Sequence, residues 1–240
     1  MARSATSTLP GPMRSALEEN GYLLWAASLD GATRQMLRLE IFHPGEAGTR
    51  CLLDHPTVAS TAASVGSGLI REGILTPGSI AVQAIAFNKS AATNWKVTWH
   101  QDLMFPFSGP VHACGWQPGG RKEGVHYSRP PLTILGEMLA VRVHLDDCGN
   151  DNGPLRVIPG SHRLGIIPSG AIPCHVARNK EVVCTAGEGE ALLMRPLLLH
   201  ASSKAMLPRH RRVLHLVFHS GAPIPVPWHR TVPAQGHREP

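Results

Sequence analysis

The stretch LAVRVHLDDCGNDNGPLRVIPGSHRLG, residues 139–165, alternates apolar and polar residues, breaks into a turn cluster, resumes as a short apolar run and stops again at Pro159-Gly160-Ser161. Asn152-Gly153 is a hairpin signal, because both residues accept the positive φ that a tight β-turn needs. The same punctuation recurs around it. SIAVQAIAF (79–87), EMLAVRVHL (137–145), PLRVI (154–158), ALLMRPLLLH (191–200) and RRVLHLVFHS (211–220) are short strand-like runs bounded by Gly, Pro, Asn or Asp. Many short strands without intervening helical patterns point to a sandwich or barrel rather than to βαβ units.

Ahead of them the pattern is helical. PMRSALEENG (12–21) reads as a helix ended by Gly21, and the YLLWAA that follows reads as a strand. Residues 30–42 and 55–70 are expected to be helices, the second despite the propensity cost of Gly66 and Gly68. With no linker, charge block or internal repeat, a single domain over 1–240 is expected. It comprises a mainly helical part (1–78), a β core (79–220) and a proline-rich tail (221–240) that wraps the surface or trails free.

A formal charge of +6 and a pI near 9.4 raise the question of an anionic partner. No basic stripe with interleaved aromatics occurs, which argues against nucleic acid. The densest basic run, PRHRRVLHL (208–216), reads better as a strand beginning at Arg211. The excess also suits an enzyme for carboxylate-bearing small molecules. Five cysteines, an odd number without a C-x-x-C pair, are expected to be free and inert buried thiols in a reducing compartment. No run of about 18 apolar residues suggests a membrane span, and the N-terminus lacks a leader's apolar core, so a cytoplasmic location is expected.

Within the β region, His100 and Asp102 stand two apart, a spacing that puts both side chains on one side of a strand where they can share an ion. Alone the H-x-D motif is weak: with 14 histidines in the chain it arises by chance in about one chain in three of this composition. It occurs a second time, at His144 and Asp146, and spacing alone does not choose between the copies. His200, at the end of the 191–200 run, supplies a third donor for a two-histidine, one-carboxylate triad. Arg211 lies eleven residues on, close enough to return as the neighbouring strand of a hairpin and to grip a carboxylate near the metal. Arg211 and Arg212 point oppositely, so one of them can be a solvated charge.

WHQDL (99–103), NGPLRVIPGSHRLG (152–165) and HASSKAMLPRHRRVLHL (200–216), in that order, resemble the phytanoyl-CoA dioxygenase-like branch of the Fe(II)/2-oxoglutarate-dependent oxygenases. The resemblance spans roughly residues 79–220. It implies a mainly β fold, a double-stranded β-helix (jelly roll, cupin-like) with flanking helices. It also implies Fe(II) ligation by His100, Asp102 and His200, and 2-oxoglutarate held by Arg211, with Ser202 and Gln83 nearby. By this resemblance the strand before the PGSH turn leaves the active site, so His144 and Asp146 are not the ligand pair. Arg142 stands where many members carry tryptophan, and it shares a face with His144. If Val141, Val143 and Leu145 pack in the sandwich core, that pair is solvated; otherwise both are substrate-binding candidates.

The chemistry implied is reaction with O₂, release of succinate and CO₂, and hydroxylation of a C–H bond in a small molecule. Asp102 favours hydroxylation over halogenation, because related halogenases have a small residue there. The Gly-, Pro- and His-rich segment 103–136 is expected to be a lid that sets specificity. His162 is expected to be a structural turn residue. His112, His126, His175, His215 and His219 are read as ordinary, and Trp95, Trp99 and Trp116 as core or pocket wall. The rival readings are a cupin-like metal enzyme that does not use 2-oxoglutarate, and a non-catalytic binding module. The sequence leaves the oligomeric state open.

Overall fold

The computed structural model describes residues 11–26 and 29–235. Residues 1–10, with the leader question they raise, Ala27 of the YLLWAA run and the last five residues of the tail lie outside the described residues.

The helices form where their caps allow. Helix α1 (Pro12–Asn20) stops at Gly21, whose φ of 80° lets its N–H return to the Leu17 carbonyl. Helix α2 (Gly31–Glu40) starts at Asp30, whose carboxylate accepts the Thr33 N–H at 2.8 Å. Helix α3 (Pro56–Arg71) opens on proline, where a missing N–H costs nothing. Its two glycines are there for close packing. A Cβ on Gly66 would stand 2.5 Å from the Ala234 Cβ, and one on Gly68 would stand 2.9 Å from the Trp25 ring. Gly66→Ala is therefore expected to destabilise the fold, since overpacking costs about 1–3 kcal/mol against a helix-propensity gain of about 1 kcal/mol at most. Urea denaturation checks this through a lower midpoint. Two short helices, α4 (Leu132–Glu137) and α5 (Ile172–Arg178), follow later in the chain.

In chain order the strands begin with β1 (Tyr22–Trp25), β2 (Gly48–Thr49), β3 (Ile80–Lys89) and β4 (Val97–His100). Next come β5 (Phe105–Phe107), β6 (Gln117–Lys122), β7 (Val125–Arg129), β8 (Leu139–His144) and β9 (Leu155–Val157). Last are β10 (Val182–Cys184), β11 (Ala191–Met194), β12 (His200–Ser202), β13 (Arg211–His219) and β14 (Val232–Pro233). A large sheet has the order β1-β11-β8-β13-β3-β14, with β2 on β3, and a small sheet has the order β10-β9-β12-β4. All pairings are antiparallel. The two sheets face each other as a mainly β jelly roll with helices on one flank.

Strand periodicity then builds two cores from one sheet. Val141 and Val143 of β8, and Leu145 just after it, face outward onto Leu37, Val58 and Leu69 of the helices. Ala140 of β8 and Val217 of β13 face inward and pack against Val157 and Leu198. The valines thus pack in the helix-side core, and the even-numbered residues of β8, Arg142 and His144 included, enter the sandwich. Neither is solvated, as expected for valines that pack outside the sandwich core.

Two expectations need correction. The 191–200 run is not one strand: β11 ends at Met194, and a turn closed by Leu198 N–H to Arg195 O (2.9 Å) carries the chain across to β12 in the other sheet. Pro196, which cannot donate to a ladder, sits in that turn. Consequently His200 and Arg211 are not on a hairpin but on facing sheets, β12 pairing with β4 and β9 while β13 pairs with β3 and β8. The tail runs over the surface, mostly exposed, and is pinned there at two points. Trp228 is buried in a stack on Phe107 (4.6 Å between centroids), and Ala234 is fully buried against α3.

Among the described residues, no helix is long and apolar enough to cross a membrane.

Candidate metal centre and its cavity

The small sheet brings the three expected ligands together. His200, first residue of β12, pairs directly with His100, last residue of β4, and their rings lie 4.1 Å apart between centroids. Asp102 follows two residues on, its N–H held by the Pro196 carbonyl at 2.9 Å. Its two oxygens stand 3.5 Å from His100 Nε2 and 3.7 Å from His200 Nε2. One donor atom from each residue lies within 4.8 Å of the other two.

Both rings are fixed in the same way. His100 Nδ1 contacts the Thr98 carbonyl at 2.8 Å and His200 Nδ1 the Leu198 carbonyl at 2.9 Å. A carbonyl only accepts, so each Nδ1 carries the proton and each Nε2 turns its lone pair to the common centre. Burial would raise the Asp102 carboxyl, but the neighbouring His200 and His100 outweigh it and hold the group well below the usual carboxylate range. Burial pushes His200 down to about 4, whereas for His100 the neighbouring Asp102 overcomes burial and raises it. An anionic carboxylate beside two Nε2 lone pairs suits a divalent cation of borderline softness, the donor set of a facial triad.

Gln101, between the ligands, points the opposite way and staples the floor. Its amide donates to the Gly165 and Leu197 carbonyls at 2.7 and 2.6 Å, and its oxygen accepts the Ile167 N–H at 2.8 Å. The loop after the PGSH turn and the turn before His200 are thereby tied to one side chain.

Above this floor lies a cavity of about 620 Å³, and Gln83, Arg142, Ser202, Arg211 and His215 are in its wall. Arg211 is 3% exposed, donates to the Gly153 carbonyl and leaves Nε buried without a partner among the described residues. Arg212, next along β13, points out and forms a two-pronged pair with Asp146 at 2.7 and 2.9 Å. The second H-x-D motif is thereby dispersed: Asp146 serves Arg212 and Arg38 on the outside, while His144 stays inside.

Lys89, opposite Arg211 in register, is completely buried. It donates to Ser202 Oγ at 3.0 Å and to the Ser203 carbonyl at 2.5 Å. A protonated lysine has no acceptor, so Ser202 Oγ must accept and its own O–H is left to donate. Burial, together with the charge of Arg211, brings Lys89 down to about 7. The Gln83 side-chain oxygen, also buried, has no partner among the described residues.

Arg142 and His144 separate. Arg142 lines the cavity, stacks over Phe87 (5.4 Å) and meets His215 Nδ1 at 3.3 Å, with no carboxylate partner among the described residues. His144 is not in the cavity wall. Burial pushes it down to about 3. His215, read as ordinary, is a wall residue, likewise pushed down to about 3 by burial. His162 is structural: Nε2 contacts the Glu18 carbonyl at 3.0 Å and the ring lies against Gly21. Of the cysteines, all free, only Cys148 and Cys184 are buried, and Cys114 and Cys174 are exposed.

The 103–136 segment covers the cavity, the place expected of a lid. It folds into a third sheet, β5-β7-β6, whose Gln117, Lys122, Tyr127 and Arg129 close the outer side of the cavity.

The sequence matches a family described as phytanoyl-CoA dioxygenase (PhyH) over residues 18–213. No curated protein matches it. Among solved structures, EctD from S. alaskensis with bound Fe is 19% identical, covers 98% of this chain and 84% of its own, and superposes with a TM-score of 0.65. The same EctD with 2-oxoglutarate and 5-hydroxyectoine is 18% identical over 98% of this chain and 87% of its own, TM-score 0.62. The epimerase SnoN from nogalamycin biosynthesis, in complex with Fe3+, alpha ketoglutarate and nogalamycin RO, is 15% identical over 86% of this chain and 82% of its own, TM-score 0.60. At these identities the likeness is one of fold.

Proposed function

The chain belongs to the phytanoyl-CoA dioxygenase family, and from that premise we propose that it is an Fe(II)- and 2-oxoglutarate-dependent dioxygenase that hydroxylates an unactivated C–H bond of a small, carboxylate-bearing molecule. The observation that carries this reading is one cavity with two complementary ends. His100, Asp102 and His200 form a cation-ready floor, and the buried Arg211 on the facing sheet has no carboxylate partner among the described residues. The Fe and 2-oxoglutarate present in the EctD structures support the pairing of cofactor and co-substrate.

Bound at the triad, Fe(II) supplies the activation of O₂ coupled to decarboxylation of 2-oxoglutarate to succinate and CO₂. The rest falls to the protein. Backbone carbonyls of Thr98 and Leu198 keep both Nε2 lone pairs aimed inward. Arg211 and the Ser202 hydroxyl hold the distal carboxylate of the co-substrate, with Gln83 beside them. Arg142, braced by His215 and Phe87, offers its guanidinium to the substrate. Phe105 and Leu155 keep water from the reacting atoms. Asp102 occupies the position a halide would need, which favours oxygen transfer.

Succinate formation by the purified protein with Fe(II), 2-oxoglutarate, O₂ and a panel of small carboxylates tests the reading, with a product heavier by one oxygen as the expected result. Failure to bind Fe(II), or succinate no higher than without substrate, would overturn it. An isomerised or ring-closed product would overturn the hydroxylation alone.

Lys89 gives this co-substrate site a pH dependence. Below about 7 the ammonium donates to Ser202, which then donates to the ligand; above it the neutral amine can accept the Ser202 proton instead. The affinity for 2-oxoglutarate is therefore expected to fall about tenfold as pH rises from 6.5 to 8.5, the lower end of the worth of a charge-assisted hydrogen bond. His144 and His215, both down at about 3, do not titrate in that window. Anaerobic titration of the Fe(II) protein checks it: Lys89→Met should bind weakly at both pH values, and a wild-type affinity flat with pH contradicts the role.

A further inference from the structure

The outer half of the cavity holds a group of charges that the reading above leaves unused. Arg50 follows β2, Lys122 ends β6 and Arg129 ends β7, and all three line the cavity. Directly paired antiparallel residues share a face. With Lys122 opposite Val125 and Gln117 opposite Arg129, the side chains of Lys122, Tyr127 and Arg129 stand on one side of the third sheet. Lys122 Nζ lies 5.4 Å from the Tyr127 ring centre, and the charge of Arg50 is felt at the Tyr127 hydroxyl. That hydroxyl is buried, raised to about 12 chiefly by burial, and has only the Cys51 thiol, 3.8 Å away, as a partner among the described residues. It therefore stays protonated and has a hydrogen bond to give.

None of these three cations has an ion-pair partner among the described residues. Among those residues, unpaired cations such as Arg71, Arg163 and Lys180 also occur away from the cavity; what sets these three apart is that they converge on one cavity wall. The charges in the loaded site show what is missing. Five cationic side chains, Arg50, Lys122, Arg129, Arg142 and Arg211, face a single carboxylate, Asp102. Fe(II) and the 2-oxoglutarate dianion cancel, and Arg211 offsets Asp102. A substrate carboxylate on Arg142 answers one more cation and leaves the three at the mouth unanswered. Between the two ends the wall is apolar, formed by Phe87, Trp95, Leu103 and Leu155.

We infer that the substrate is a bis-anion with an apolar body, one carboxylate on Arg142 near the metal and a second anionic group, carboxylate or phosphate, held at the mouth by Arg50, Lys122, Arg129 and the Tyr127 hydroxyl. This rests on the oxygenase reading, which defines the inner end. The probes are linear α,ω-dicarboxylates of increasing length, their monocarboxylate counterparts and the matching ω-phosphonocarboxylates. They are titrated calorimetrically, without O₂, into the protein saturated with Fe(II) and 2-oxoglutarate.

At one chain length the dicarboxylate or phosphonocarboxylate should bind at least about tenfold more tightly than the monocarboxylate, as a second tethered contact provides. Lys122→Gln combined with Arg129→Gln, and Arg50→Gln separately, should remove that gain and leave the monocarboxylate affinity within about twofold. The larger gain identifies the second group as carboxylate or phosphate. Equal binding of mono- and bis-anions at every length, or a gain that survives in both variants, would overturn the inference. A failure of the oxygenase reading registers separately, as absent Fe(II) or 2-oxoglutarate binding. The same bis-anion gain and its dependence on Lys122 and Arg129 are then read in the metal-free protein.

Discussion

Asp102→Ala is expected to cost the protein its Fe(II) and, with it, turnover of 2-oxoglutarate. The carboxylate is, among the described residues, the sole negative charge in the cavity wall and stands 3.5 and 3.7 Å from the two imidazole Nε2 atoms. Removing one partner from a half-buried charge arrangement costs about 3–5 kcal/mol, so the metal affinity should fall at least about 10²-fold. Two neutral imidazoles would remain, with nothing to offset the ion's charge or that of Arg142. Because each ring keeps its own carbonyl partner at Nδ1, the fold should survive. A metal titration followed by fluorescence, with circular dichroism as the control for folding, separates loss of metal from loss of structure. Retained Fe(II) affinity in the variant would remove Asp102 from the ligand set.

Arg211→Leu is expected to have the second largest effect, and on a different quantity. The guanidinium is buried against Lys89 and Cys148, burial lowers its pKa, and one of its N–H groups is without a partner. Such a group is a burden to the empty protein and an asset only when an anion arrives. The variant should therefore be as stable as the parent or more so, while its Kd for 2-oxoglutarate rises by roughly 30-fold or more, the lower end of the cost of truncating a buried charge pair. Arg211→Lys should recover only part of the loss, since a point charge does not reproduce the two-pronged geometry. A variant that loses stability and keeps its affinity for 2-oxoglutarate would make Arg211 structural.

The two predictions rest on residues that the sequence exposed to different degrees. Strand alternation places His100 and Asp102 on one side and turns Arg211 and Arg212 apart, but the choice of this pair over His144 and Asp146, and of Arg211 over Arg212, rests on the family resemblance. His200 was readable as a donor but not in its setting. Pro196 was the sign that the run 191–200 breaks and crosses to the other sheet. Lys89 shows a signal present but passed over: it shares parity with Gln83, Ile85 and Phe87 on β3, so a cation at the end of that row had to point inward. His215 shares parity with Arg211 in the same way. The mouth residues were out of reach, because Arg50 and the third sheet meet only through tertiary packing, and nothing local in a Gly- and Pro-rich segment fixes which side its cations take. Arg142 and His144 illustrate the same limit. Alternation pairs them on one face, yet only the depth of the sandwich decides that one lines the cavity and the other is sealed behind it.

The seating of Ala234 against Gly66 and of Trp228 on Phe107 has a consequence for the order in which the molecule is made. The large sheet sets β1 beside β11 and β14 beside β3, so neighbours in space are far apart in synthesis. Contacts of such long sequence separation form slowly, because a long loop must close before any of them is rewarded. While the chain is still emerging, α3 and the third sheet therefore display apolar surface that only the final stretch covers. The interval before residue 234 is available is the one in which this protein is most exposed to aggregation.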